Sequence, residues 1–210
     1  MDWSPPRPAG LRPAGFVEPC IPTLAEKPPV GIAWVHEIKH DGYRLMVWRD
    51  GERVRLFTRR GYDWTKRYPR IVNSARKLRS TRFLIDGEAI VVGDDGVSDF
   101  DKLHSGGHNA EALLYAFDLL SLDGADIRDQ RLEDRRASLR LMLTHPESIR
   151  FSDGIEGDGE LIFRQACSMG LEGIISKRRD SSYQSGRTKS WLKIRNPDSP
   201  AARRLVDPTR

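Results

Sequence analysis

Short strand-like segments joined by tight turns are the feature that most limits how this chain can fold. Residues 44–48 and 53–58 flank Asp50-Gly51, which is a strong two-residue hairpin signal. Helical patterns occupy residues 64–78, 132–143 and 158–169. The other predicted strands span residues 34–39, 83–92, 113–122, 173–177 and 191–194. Because hairpins dominate and the helices lie between them, the pattern predicts an α+β fold with antiparallel sheets, not a doubly wound parallel sheet.

Proline content and chain length predict the domain organisation. Eight of the 13 prolines lie in residues 1–30, which predicts an extended, poorly packed lead-in. Residues 31–196 hold the periodic segments and form one domain, since a chain of 210 residues can bury a full core. Residues 197–210 form a basic C-terminal tail.

The composition argues against a membrane or secreted protein. Charged residues make up 31% of the chain. No run approaches the roughly 18 apolar residues of a membrane-spanning helix. The N-terminus lacks the basic and apolar regions of a signal peptide. Cys20 and Cys167 form no metal-binding pattern, so we expect reduced thiols in the cytoplasm.

A basic stripe lies between residues 53 and 82, where 11 Lys and Arg residues accompany a single acid, Asp63. Tyr62, Trp64 and Tyr68 are interleaved with these charges. Basic residues interleaved with aromatic residues are typical of surfaces that bind phosphate backbones. A solvated helix face is the alternative interpretation, and we favour nucleic-acid contact.

Residues 37–44 contain Lys39, which is followed by Asp41-Gly42 and by Arg44, and this arrangement resembles the nucleophile motif of covalent nucleotidyltransferases. A free lysine has a pKa of about 10.4 and is a poor nucleophile at neutral pH. A neighbouring cation such as Arg44 or a metal ion can lower that pKa. Asp41-Gly42 predicts a tight turn that directs the amine into a pocket. Taken alone, this segment could equally be a charged strand that ends in a hairpin turn.

Two later segments place charged groups where they are costly to bury. The carboxylates of Asp86 and Glu88 interrupt an apolar strand, and such groups usually have partners or a task. Lys193 and Arg195 alternate with apolar residues on one face of a predicted strand, a geometry suited to a triphosphate. Because the chain lacks the glycine-rich phosphate loop and the dinucleotide fingerprint, any nucleotide must bind on another scaffold.

Six segments of the chain resemble, in order, the motifs of one enzyme family. They span residues 37–44, 58–61, 83–91, 115–120, 171–178 and 190–195. The corresponding motifs are K-x-D-G-x-R, S-R-x-G, D-G-E, F-D-L-L, E-G-[IV]-[IV]-x-K and W-x-K-x-K. The chain therefore resembles the adenylation domain of ATP-dependent DNA ligases, which are covalent nucleotidyltransferases, and most resembles the bacterial enzymes of end joining and repair.

The resemblance implies a role for each motif residue. Lys39 would attack the α-phosphate of ATP and hold AMP through a P–N bond, and AMP would then pass to a 5′-phosphate in nicked or broken double-stranded DNA. The remaining implied roles are adenine reading by Glu37, adenine stacking by Phe117, phosphate or ribose binding by Arg44 and Arg59, ribose or metal binding by Glu88, binding of Mg²⁺ or Mn²⁺ by Glu172, and triphosphate binding by Lys193 and Arg195. Arg195 departs from the family, which more often has lysine there.

The resemblance leaves several points open. Full-length ligases continue into an OB-fold, whereas this chain ends 15 residues after Arg195, so we expect an adenylation domain without that fold. Other repair proteins could supply the missing domain. RNA end joining, capping by the same chemistry, or a non-catalytic nucleic-acid-binding module with a nucleotide pocket are the alternatives. We expect a monomer in the bacterial cytoplasm, associated with the nucleoid.

Overall fold

A computed structural model of the chain describes residues 14–144 and 147–206. This part of the chain folds into two β-sheets with helices against them. The strands are β1 (Cys20–Leu24), β2 (Trp34–Ile38), β3 (Tyr43–Asp50), β4 (Arg53–Thr58), β5 (Arg82–Ile90), β6 (Leu113–Leu122), β7 (Ala125–Asp126), β8 (Ile149–Phe151), β9 (Gly173–Arg178) and β10 (Gly186–Arg195). The helices are α1 (Pro69–Lys77), α2 (Phe100–Ser105), α3 (Leu132–Met142), α4 (Gly159–Ser168) and α5 (Pro200–Val206).

The predicted α+β class is confirmed, and most strand pairs are antiparallel. One sheet has the order β1-β10-β9-β2, and the other has the order β4-β3-β5-β6-β7 with β8 paired to β6. Two pairs, β1 with β10 and β6 with β8, are parallel. The expectation of antiparallel sheets is therefore incomplete, because each sheet gains a parallel strand from a distant part of the chain.

The first helix begins later than its pattern predicted. The pattern placed the helix start at residue 64, but α1 begins at Pro69. Proline is accepted at the first helical position because the missing N–H would have no partner there. The preceding residues form a turn in which the backbone N–H of Arg67 donates to the carbonyl of Trp64 at 2.9 Å.

Part of the N-terminal lead-in belongs to the folded domain, so the expected boundary at residue 31 is wrong for β1. Cys20 is 1% exposed, and its backbone N–H donates to the Tyr183 hydroxyl at 2.9 Å. Its register partner in the parallel pair is Gly186, so a local proline pattern could not reveal this strand. Residues 1–13 of the lead-in lie outside the described residues. In the expected basic tail, residues 200–206 form α5, and residues 207–210 lie outside the described part.

Strand β3 is buried on both faces, and its alternating side chains separate two parts of the core. Leu45 and Val47 point toward the cluster that includes α1 and α3. Met46 belongs to a second cluster, in which Trp191 of one sheet packs with Phe117 of the other. Polar residues line the cavity that lies beside this second cluster, between the two sheets. Among the described residues, no helix is long and apolar enough to cross a membrane.

Candidate active site

A cavity of about 230 Å³ between the sheets collects the residues that the motifs had indicated. Both sheets contribute to its wall, so residues far apart in the chain face one space. Eight of the nine predicted site residues line it: Glu37, Lys39, Arg44, Arg59, Glu88, Phe117, Lys193 and Arg195. The ninth, Glu172, contacts the Lys39 side chain.

Lys39 follows directly after β2 and is paired with Glu172. Its Nζ lies 2.5 Å from Oε2 of Glu172, and the two side chains are 20% and 10% exposed. Its backbone N–H donates to the carbonyl of Gly173 at 2.9 Å. Gly173 has φ +134°, and a Cβ there would lie 2.0 Å from the carbonyl oxygen of Ile194. Only glycine fits, which explains the Glu-Gly pair beside the lysine.

The segment after Lys39 is held by its own close contacts. A Cβ on Gly42 would lie 2.1 Å from the carbonyl oxygen of Ala89, so β3 enters the sheet at a distance that only glycine allows. The carboxylate of Asp41 pairs with Arg204 of α5, and its backbone N–H donates to the Ser98 hydroxyl at 3.2 Å. The segment between Lys39 and β3 is therefore held in place by contacts on two sides.

Arg44 lines the cavity, but its guanidinium already has a protein partner. Nε and Nη2 donate to the two carboxylate oxygens of Asp86 at 2.5 and 2.6 Å. Asp86 also accepts a hydrogen bond of 2.6 Å from the Tyr183 hydroxyl. Asp86 was visible in the sequence as a costly carboxylate in an apolar strand, but no local pattern identified its partner.

Glu37 lies at the centre of a buried charge cluster. The residue is 2% exposed, and Oε1 lies 2.5 Å from Nη1 of Arg136 and 2.8 Å from Nζ of Lys177. The Ser152 hydroxyl donates to Oε2 at 3.2 Å. Burial and the Arg136 charge lower the pKa of Lys177, and Glu37 partly opposes them. Arg136 had no predicted role, because it lies on α3, whose pattern is that of an ordinary charged amphipathic helix.

Phe117 is part of the cavity wall and has a cation near its ring from each sheet. The Arg44 guanidinium carbon lies 4.5 Å from the ring centroid, and Nζ of Lys177 lies 4.2 Å from it. Trp191 meets the Phe117 ring edge to face at 6.0 Å. The predicted stacking of this ring on adenine stays a prediction.

The carboxylates of Glu88 and Glu172 are suited to a hard divalent cation. Burial raises the pKa of Glu88 to about 7, although Arg44 and Lys39 oppose the rise, and Glu172 adds to it. In the part of the chain that the structure describes, no group of three or more His, Cys, Asp or Glu residues forms a complete metal cage. Mg²⁺ is commonly held by one or two carboxylates together with substrate phosphates. These two residues fit that mode of binding.

Positive charge in the cavity wall comes from β10 and from the turn after β4. Lys193 and Arg195 alternate along β10 with their side chains on the cavity side, as predicted. Burial lowers the pKa of Lys193, and the charges of Arg195 and Lys39 lower it further. Arg59 lies exposed on the turn after β4 and reaches the cavity from the other sheet. Such a cluster of cations suits a triphosphate.

The predicted basic stripe is divided by the fold into residues with different surroundings. Arg59, Arg60 and Arg67 line a second, larger cleft beside the nucleotide-sized cavity. Lys77 instead pairs with Glu147 at 2.7 Å, and Tyr68 is fully buried. Part of the stripe therefore lines the cleft and part lies elsewhere, and its contact with nucleic acid stays a prediction.

Comparison with known sequences identifies relatives along most of the chain. The family model described as "ATP dependent DNA ligase domain" matches residues 25–195. The chain is 38% identical to the multifunctional non-homologous end joining protein LigD of Pseudomonas aeruginosa, covering 86% of this chain and 22% of that protein. It is 40% identical to the LigD of Mycobacterium tuberculosis, covering 76% of this chain and 21% of that protein. The chain thus spans about a fifth of the length of these curated relatives.

Solved structures resemble the fold as well. The ligase domain of M. tuberculosis LigD has a TM-score of 0.74 and 35% identity, covering 84% of this chain and 60% of that chain. A mycobacterial DNA ligase D complexed with ATP and MES has a TM-score of 0.72 and 35% identity, covering 84% of this chain and 59% of that chain.

Proposed function

Because the chain belongs to the ATP-dependent DNA ligase domain family, we propose that it captures AMP from ATP on Lys39 and transfers it to a 5′-phosphate in DNA. The observation that carries the proposal is the position of the Lys39 amine. It contacts Glu172 at 2.5 Å and faces a cavity lined by seven further predicted nucleotide-binding residues.

In the first step, the lone pair of Lys39 Nζ attacks the α-phosphorus of ATP. A P–N bond forms while the P–O bond to pyrophosphate breaks, and pyrophosphate leaves. The lysine must be neutral to attack, and the Glu172 carboxylate, which contacts Nζ, can take its proton before a cation binds there. Lys193 and Arg195 stabilise the negative charge that spreads over the phosphates, because phosphoryl transfer depends mainly on positioning and electrostatics.

Glu88 and Glu172 would hold Mg²⁺ or Mn²⁺ at the same site. When bound, such an ion neutralises phosphate charge and draws electrons from the α-phosphorus. Glu37 would read the adenine edge, and Phe117 would stack on the base, as expected from the motifs. Arg44 would contribute its charge from its place beside Asp86, whereas Arg59 would be free to close on a phosphate or ribose oxygen.

In the later steps, AMP passes to the 5′-phosphate at a nick or break, and a 3′-hydroxyl displaces it to seal the strand. The relatives named for non-homologous end joining support a role in DNA repair. The chain spans about a fifth of these relatives, and strand sealing together with other repair proteins is part of the proposal. We place the protein as a monomer in the bacterial cytoplasm, near the nucleoid.

The first test is the mass of the intact protein after incubation with ATP and Mg²⁺. We expect an increase equal to one AMP, which is lost in Lys39→Ala and kept in Lys77→Ala. Lys77 is a suitable control because it pairs with Glu147 and lines neither cavity. An AMP adduct that survives Lys39→Ala would show that another residue is the nucleophile. A wild-type chain that binds ATP without an adduct would support the non-catalytic module instead.

The second test compares nicked DNA and nicked RNA duplexes as AMP acceptors. We expect the 5′-adenylated strand to form on DNA at least about tenfold faster than on RNA, because the family match is to DNA ligases. Equal or faster transfer to RNA would support the RNA-joining alternative. A similar fold in an archaeal ATP-dependent RNA ligase, at 17% identity, shows only that the scaffold is shared.

A further inference from the structure

A second cleft, of about 830 Å³, adjoins the nucleotide-sized cavity of about 230 Å³. The two share part of their walls, since Arg44, Arg59 and Glu88 line both. A group held at these three residues is therefore accessible from either side. If AMP occupies the smaller cavity, an acceptor can reach its phosphate from the larger cleft.

Arg67 lies in the wall of this cleft and is oriented by long hydrogen bonds, from Nε to Oδ1 of Asn109 at 3.4 Å and from Nη2 to the Leu103 carbonyl at 3.5 Å, and by aromatic rings. Its guanidinium carbon lies 4.3 Å from the Trp64 ring centroid, 5.4 Å from that of Tyr43 and 5.6 Å from that of Tyr68. Such cation–π contacts stabilise the guanidinium in this position, and more so where it is desolvated. The rings reduce the entropy that the arginine would lose on binding a ligand.

The rings around Arg67 are themselves fixed. Tyr68 is fully buried, and Trp64 meets Tyr43 edge to face at 5.1 Å. The Tyr43 hydroxyl lies 2.6 Å from Nδ1 of His104, and its ring packs beside Phe100 at 5.3 Å. The arginine is therefore presented from a rigid base and not from a mobile loop.

The charge of the cleft suits an anion. Arg59 and Arg60 line it together with Arg67, and Glu88 is the single carboxylate among its described lining residues. A guanidinium forms charge-assisted hydrogen bonds with phosphate oxygens, and phosphate contacts fix the register of a protein on DNA. A cleft of this size, continuous with the AMP cavity, fits a strand that runs onward from the reacting phosphate.

We propose that Arg67 binds a backbone phosphate of the acceptor strand, at one of the first three linkages from the 5′-phosphate that receives AMP. This inference rests on the proposed function. Arg67 is then a positioning residue: it aligns the strand end with the adenylated lysine and does not itself react. Trp64 acts through Arg67 by holding the guanidinium plane.

The test combines a protein substitution with a change in a single DNA phosphate. Nicked duplexes carry an uncharged methylphosphonate at the first, second or third linkage, and fluorescence anisotropy measures their binding to the full chain. At one linkage we expect the wild-type chain to lose about tenfold in affinity, as for a lost charged hydrogen bond. Arg67→Gln should bind ordinary nicked DNA more weakly than the wild type by a similar factor. A methylphosphonate at that same linkage should not weaken its binding further.

Salt dependence provides a second readout that a purely structural role would not change. Arg67→Gln lowers the slope of log affinity against log salt by about 1, as expected for one phosphate contact. Arg67→Lys recovers part of the affinity, and Trp64→Leu loses part of it with the charge unchanged. Arg164→Gln removes the same charge from the exposed side of α4, which lines neither cavity, and leaves the methylphosphonate pattern as in the wild type.

Formation of lysyl-AMP, measured in every variant, separates the two proposals. Its absence in the wild-type chain overturns the proposed function. The assignment of Arg67 is overturned if Arg67→Gln forms lysyl-AMP normally and the affinity losses from the substitution and from the methylphosphonate add at all three linkages. If Arg67→Gln does not fold, Arg67→Lys and Trp64→Leu take its place in the same comparison, and additive losses there overturn the assignment as well.

Discussion

Arg44 and Asp86 form a two-point ion pair inside the fold, in which Nε and Nη2 of the arginine donate to separate carboxylate oxygens at 2.5 and 2.6 Å. They lie on neighbouring strands, β3 and β5, and Asp86 is fully buried. The arginine that the motif assigns to the nucleotide is thus positioned by the first acid of Asp-Gly-Glu. The same acid accepts a hydrogen bond from Tyr183, just before β10, so one buried carboxylate connects the two sheets.

Asp86→Asn is expected to destabilise the fold by about 3–5 kcal/mol, because it leaves the Arg44 charge buried without a counter-ion. Urea unfolding measures the loss. Asp126→Asn is the matched control, since Asp126 forms an exposed pair with Arg128, worth at most about 1 kcal/mol. Equal, small effects of the two substitutions would show that the Arg44–Asp86 pair does not stabilise the fold.

Glu37→Gln is expected to destabilise the fold in a pH-dependent way. The pKa of Lys177 is already lowered by burial, and loss of the Glu37 charge lowers it further. The unfolded chain then holds a proton on this lysine that the folded chain binds weakly, so stability rises with pH toward the unfolded lysine pKa of about 10.4.

Urea unfolding of Glu37→Gln at several pH values checks this prediction. The deficit in unfolding free energy relative to the wild type should be largest near neutral pH and should narrow as the pH rises. A deficit that widens with rising pH would show that Lys177 is not the group responsible.

Gly42→Ala is expected to slow lysyl-AMP formation by about a hundredfold, because displacing a catalytic group by about 1 Å can cost that much. The added Cβ would lie 2.1 Å from the Ala89 carbonyl oxygen, so the segment between Lys39 and β3 must move. The rate of label transfer from α-labelled ATP measures the effect. Gly107→Ala, whose Cβ meets only the Ser105 hydroxyl at 3.8 Å, should keep the wild-type rate. Equal rates in the two variants would contradict the tight entry of β3.

The two cysteines should differ in reactivity. Burial raises the pKa of Cys20 to about 12, whereas Cys167 is half-buried on α4, and burial raises its pKa less. Since the thiolate is the reactive form, iodoacetamide at pH 8 should modify Cys167 first and Cys20 only after unfolding in urea. Raising the pH to about 9 should accelerate the modification of Cys167 but not that of Cys20. Peptide masses over time measure both rates, and native modification of Cys20 at the rate of Cys167 would contradict its burial.

Much of the site could be predicted because its functional residues lie in short sequence motifs. Lys39, Glu88 and Lys193 each stand in a local pattern on a strand or directly after one, and all three line one cavity. Their individual roles in binding ATP stay predictions. Arg136 could not be predicted, because its task depends on Glu37, 99 residues away in the chain.

The sequence by itself determined the α+β class, the hairpin of β3 and β4, and the identity of eight residues that line the nucleotide-sized cavity. Only the tertiary structure decided that β1 joins the sheet beside β10, that Arg44 belongs to Asp86, and that the basic stripe separates into cleft-lining and outlying residues. The physical reason is the distance along the chain over which each kind of interaction acts. Turns, strand alternation and glycine requirements act between near neighbours, whereas the pairing of buried charges and of distant strands is settled when the two sheets pack together and each polar group must find a partner.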